Sequence, residues 1–159
     1  MKKIFLFYFI AFSSLLLRGQ QVTDTLITGM NSSDKCVGAA SAELLASIRE
    51  NKSDEEIARN YCNLAKALSG TENFSKAEFY MERAVRLESG SKTKKNLSEY
   101  YRELAKIQES ENKNKIASES YKKAAQLSSD SLQKQLNQND AARLQESSPQ
   151  EQQIGRAHV

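Results

Sequence analysis

The 159-residue chain has one histidine, two cysteines and six scattered glycines, and each shortage removes a class of chemistry. His158 stands next to the last residue, so neither an imidazole acid-base nor a Ser-His or Cys-His pair can be built in the body of the chain. Cys36 and Cys62 lie far apart and have no companion histidine, which leaves no zinc site. The glycines never gather into a phosphate-cradling loop. No segment alternates with the two-residue period of a half-buried strand, so no sheet is expected. The reading is therefore of a non-enzyme with no catalytic residues, no metal and no cofactor. The acidic cluster Asp54-Glu55-Glu56 falls at a predicted helix start, where it complements the helix dipole.

Long apolar stretches are also scarce. The one at the N-terminus runs from Ile4 to Leu17, follows Lys2 and Lys3, and precedes Arg18-Gly19-Gln20-Gln21. It is shorter than the roughly 20 residues that span a bilayer. This is the layout of a secretory signal peptide over residues 1–20, cut near Gly19 or Gln20, which places the mature chain in the periplasm or cell envelope. No cysteine follows the run, so lipid anchoring is not expected. At the other end, Ile154-Gly155-Arg156-Ala157-His158-Val159 resembles the translated read-through of a sequencing adapter, and the natural reading frame is expected to continue past Gln153. The formal charge of +3 comes from these two ends. Without Lys2, Lys3, Arg18 and Arg156, nineteen basic residues face twenty acidic ones, a charge of −1. That balance, with no base-stacking or groove-reading motif, argues against a nucleic-acid partner.

What the chain does carry is a repeat. Tyr61, Leu64, Ala65, Ala77, Met81, Ala84 and Leu87 recur as Tyr101, Leu104, Ala105, Ala117, Tyr121, Ala124 and Leu127, every pair offset by 40. Ile57, Tyr61, Leu64, Ala65 and Leu68 share the face of an amphipathic helix. Ser53 with Glu56 and Ser75 with Glu78 read as capping boxes, Ser69 to Asn73 as one turn, and Glu111 to Asn114 as the next. The fold class is all-α, with helical hairpins stacked as a short solenoid.

Taken from Ala58, the first unit resembles the tetratricopeptide (TPR) family, with Tyr61 at the aromatic place, Leu64 and Ala65 at the Leu-Gly place, and Ala77, Met81 and Ala84 at the small, large and small places. Two repeats follow, about 58–91 and 98–131. Ser89 and Ser129 replace the usual proline, Gln108 replaces an apolar residue, and six extra residues separate the units. Alanines at matched places let paired helices approach while large residues fill the gap beside them. Ahead of the repeats, residues 21–52 form a loose lead with a short helix over Ser41 to Asn51 that covers the first hairpin. After them, 130–153 is a polar helix or linker, and 154–159 is a non-native tail. Two repeats are fewer than the three or so that stability usually needs, which agrees with a longer natural chain. In an oxidising compartment the cysteines face a choice between a bridge and free, partly buried thiols; the latter is the expectation.

The resemblance implies a protein or peptide partner. It places the concave groove on the first helix of each unit, at Arg59, Cys62, Lys66 and Ser69, then at Glu99, Arg102, Lys106 and Glu109. Arg59, Lys66, Arg102 and Lys106 would form a basic stripe for a carboxylate or acidic segment, interrupted by Glu99 and Glu109. The stripe lacks the asparagines of the carboxylate-clamp type. Leader, spaced repeats and the Asp130 to Leu136 continuation together resemble the sensory N-terminal region of Bacteroidetes-type TPR histidine kinases or related regulators. That family places its membrane helix and kinase downstream, so membrane contact and phosphotransfer would lie outside these residues. The alternative is a self-contained periplasmic or secreted adaptor. An enzyme domain downstream is a third class, without support in these residues.

Overall fold

The computed structural model describes Leu26, residues 28–30, Ser32 and residues 34–154, with backbone alone over 147–154. The leader and the last five residues lie outside the described residues. Among the described residues from Lys35 on, six helices follow one another: α1 (Lys35–Arg49), α2 (Asp54–Gly70), α3 (Phe74–Gly90), α4 (Leu97–Ser110), α5 (Asn114–Leu127) and α6 (Ser131–Ile154). No strand occurs among the described residues. The helices pack in sequence as antiparallel pairs, α2 on α3 and α4 on α5, with α1 on α2 and α6 on α5; α2 also meets α4.

The pairs close because their contact faces hold alanine. Ala77, Ala84, Ala117 and Ala124 are all 0% exposed, as are Ala65 and Ala105, so nothing larger than a methyl separates the backbones there. Met81, Leu64 and Leu44 fill the space beside them. One core runs from Leu26 and α1 through α2 and α3 to Leu97, Tyr100, Leu104 and Ile107 of α4. A second, smaller one joins Ala105, Ala117 and Tyr121 to Ala141 and Leu144 of α6.

Both hairpins turn in the same way. After α2, Asn73 N–H donates to Leu68 O at 3.0 Å and Glu72 N–H to Ser69 O at 3.1 Å; after α4, Lys113 N–H reaches Gln108 O and Asn112 N–H reaches Glu109 O, both at 2.9 Å. These are Schellman turns, which need a left-handed residue. Glu72 and Asn112 supply it, each at φ 59°.

Three local expectations are corrected. The lead helix begins at Lys35 and ends at Arg49 instead of spanning 41–51, because Asp34 caps it by accepting from Val37 N–H at 2.9 Å. Nor is the lead loose throughout: Leu26 is fully buried, and a Cβ on Gly29 would stand 2.5 Å from Ser41 Oγ. The Ser53 cap forms, its Oγ accepting from Glu56 N–H. The Ser75–Glu78 box does not, because the tight turn starts α3 at Phe74 and puts Ser75 inside the first turn. Glu78 instead reaches the next hairpin. It accepts from Gln108 Nε2 at 3.0 Å and pairs with Lys113.

The six residues between hairpins, Ser91 to Asn96, are held by two acids. Glu55 Oε1 accepts from Ser91 Oγ and Thr93 Oγ1, each at 2.9 Å. Glu88, which is fully buried, accepts from Asn96 N–H at 2.8 Å and so occupies the start of α4. The link from α5 to α6 has three residues, and its Asp130 Oδ1 accepts from Leu132 N–H at 2.9 Å.

Candidate functional site

The neighbouring first helices α2 and α4 present the residues that the groove pattern singles out. Lys66 Nζ lies 3.1 Å from Glu99 Oε1, joining the two helices, and Lys106 Nζ lies 2.8 Å from Glu103 Oε1. Arg102 Nη1 donates to the neutral Gln133 Oε1 of α6 at 3.1 Å. Arg59 is exposed, and its charge acts on Glu55. The four cations do line adjoining helices, yet two of them are matched by carboxylates of the same surface. A purely basic stripe is therefore not what forms; the surface is mixed in charge.

Two of the acids play other parts than expected. Glu99 is the partner of Lys66. Glu109 reaches the helices that follow α4, accepting from Arg143 of α6 at 2.8 Å and from Tyr121 OH of α5 at 3.2 Å. The Arg143 guanidinium, with Tyr121, holds its carboxyl below the ordinary range against the opposing effect of burial. Cys62 is buried beneath the groove, and desolvation pushes its thiol up to about 11. Ser69 is half-buried at the end of the row.

These side chains shape two clefts. One, of about 240 Å³, lies between α2 and α4 among Lys66, Ser69, Glu103, Lys106, Ile107 and Ser110. The other, of about 280 Å³, lies between α4 and the start of α6, with Lys95, Glu99, Arg102 and Asp130 in its lining. Both fall below the roughly 300 Å³ at which small-molecule pockets begin. Open clefts of this kind suit the side chains of an extended segment better than an enclosed small ligand.

The residues expected to pack divide more finely. Tyr61, Leu64, Ala65, Leu68, Ala77, Met81, Ala84, Leu104, Ala105, Ala117, Tyr121 and Ala124 are buried. Leu87 and Tyr101 are half-buried, Tyr101 under Lys123 Nζ at 5.3 Å from its ring. Leu127 is 45% exposed, a correction that follows from its place as the last residue of α5 beside an open cleft. The buried aromatic of α4 is Tyr100 rather than Tyr101. Its signal was the stripe Leu97, Tyr100, Leu104 and Ile107, spaced by three and four, which the 40-residue alignment passes over. Tyr80, stacked on Tyr61 at 6.1 Å between ring centroids, was likewise missed.

Among the described residues no group of histidines, cysteines and acids gathers as for a metal, and no helix is long and apolar enough to cross a membrane. Both thiols are free, Cys36 exposed and Cys62 buried. The model of the tetratricopeptide repeat family matches residues 58–90, which is α2 from its second turn through the end of α3. No curated protein and no solved structure matches. The chain is thus a helical protein that carries a TPR repeat, and such repeats typically bind proteins or peptides.

Proposed function

We propose that the protein is an exported scaffold that holds a protein or peptide segment across α2 and α4, and that it serves as the sensory part of a histidine kinase or related regulator. One observation carries the binding part: the TPR hairpin and the next one are stacked so that Lys66, Glu103 and Lys106 converge on an open cleft. Mixed charge and small volume favour an extended chain whose own charges alternate. Export rests on the layout of residues 1–20, and the regulatory setting on the resemblance of leader, repeats and Asp130 to Leu136.

Selection of a random peptide display library on the full chain tests the binding part. Selected peptides are expected to bind Lys66→Ala/Lys106→Ala several-fold more weakly and Lys122→Ala unchanged, given the size of exposed charge contacts. Loss that follows Lys122 and not the cleft would overturn the site. Fusing residues 1–25 to alkaline phosphatase, active only after export, tests the leader: an inactive fusion removes that part. Reading the source gene beyond Gln153 tests the regulator. A membrane span, a histidine-bearing helix and an ATP-binding domain are expected, whereas further repeats and a stop would favour the self-contained adaptor.

A further inference from the structure

The six-residue link between hairpins is the largest departure of this chain from an evenly spaced array, and it gathers three lysines within four residues. Lys92, Lys94 and Lys95 are all exposed. Among the described residues no carboxylate lies within ion-pair distance of any of them, as is true of several other surface cations, and Glu55, the acid that holds Ser91 and Thr93 of the link, feels the charge of Lys95 from farther off. Three ammonium groups fall within four residues, so a partner that spans the link meets all of their fields together.

The link is also held in place. Ser91 and Thr93 donate to Glu55, Asn96 N–H donates to the buried Glu88, and Leu97 N–H to Lys94 O at 3.3 Å closes a turn. Lys94 sits at φ 48°, a left-handed conformation that a lysine adopts only when its surroundings impose it. A segment that docks on this link does not have to order it first.

Lys95 leads from the link into the cleft of about 280 Å³, where Arg102 stands. Of the two carboxylates of that lining, Glu99 is paired with Lys66, whereas Asp130 keeps its charge and turns one oxygen to Leu132 N–H. Among the described residues, the hydrogen-bond partner of Arg102 is the neutral Gln133. We propose that the Ser91 to Asn96 link is a recognition element for an acidic segment of a protein partner, which lays its carboxylates on Lys92, Lys94 and Lys95 and continues into the cleft at Arg102. This rests on the scaffold reading above and adds a chemistry and a second place to it. A nucleic acid fits less well, because no aromatic ring lines the link or the cleft to stack a base and the body of the chain carries no net positive charge.

The test is fluorescence anisotropy of a fluorescein-labelled octaglutamate peptide with the full chain at low salt. Binding is expected, with a loss of about tenfold in Lys92→Ala/Lys94→Ala/Lys95→Ala and less than about twofold in Lys76→Ala/Lys115→Ala/Lys122→Ala, which removes equal charge elsewhere. Circular dichroism checks that both keep their helices; should the link triple lose them, Lys92→Ala and Lys95→Ala singly carry the comparison. Equal loss in both triples, no binding by the natural chain, or tighter binding of an oligothymidine of equal charge overturns the proposal. If display-selected peptides still depend on Lys66 and Lys106 when the link triple binds octaglutamate normally, this inference alone falls and the scaffold stands.

Discussion

Two residues show how position within a helix sets chemistry. Cys36 is exposed on α1, while Cys62 is buried with its thiol pushed up to about 11 by desolvation. Ellman's reagent at pH 8 is expected to titrate one thiol promptly and the second only after denaturation, since the buried thiol is neither ionised nor reachable. Two fast thiols would contradict the burial of Cys62. Glu72 makes the opposite point, with an ordinary side chain placed in left-handed backbone. Glu72→Gly is expected to stabilise the fold by about 1 kcal/mol, read from urea midpoints, because glycine adopts that conformation without a Cβ penalty. The change should leave the turn hydrogen bonds in place.

At the scale of elements, polar side chains join the hairpins that the alanines close. Gln108 stands where the repeat has an apolar residue, yet it is 3% exposed and bonded at both ends of its amide: the nitrogen donates to Glu78 and the carbonyl accepts from Ser120 Oγ at 2.8 Å. Gln108→Leu is expected to cost about 1–2 kcal/mol because buried Ser120 loses its acceptor, and adding Ser120→Ala should recover part of that. A neutral single variant would show that the network contributes nothing.

The hairpins themselves were legible because their information is local: helical spacing, alanines at matched places, and the Ser53 cap. The start of α3 was misread because Ser75 and Glu78 satisfy a motif that the Schellman turn at Glu72 overrides. Tyr100 was hidden by its neighbour Tyr101, which fits the 40-residue offset better. Of the candidate site, the positions of Lys66, Arg102 and Lys106 on adjoining helices could be read from the pattern. Their partners could not. Lys66 to Glu99 and Glu55 to Ser91 and Thr93 join residues 33 or more apart, and such pairings depend on how one helix lies against the next.

For the whole molecule, the acids at the junctions set its response to pH. Burial raises the Glu78 pKa, but bonds from Lys113 and Gln108 outweigh that and hold it below the usual value; Glu109 is held low by Arg143, and Glu55 by Ser91 and Thr93. A carboxyl depressed in the folded state stabilises above its unfolded pKa of about 4.3 and loses that contribution as pH falls through the folded value. Melting temperature is thus expected to be level from pH 7 to about 5 and to drop below about 4, with a smaller drop in Glu109→Gln. Unchanged melting at pH 3 would contradict the linkage.

The uneven division of the core has its own consequence. Among the described residues, twenty buried ones knit Leu26 and α1 through α4, whereas five, three of them alanine, make the core that joins α6 to the stack. Opening one end of a linear array breaks a single interface. Amide deuteration followed by mass spectrometry should therefore label α6 first and α2 last, as a zip comes undone from its loose end.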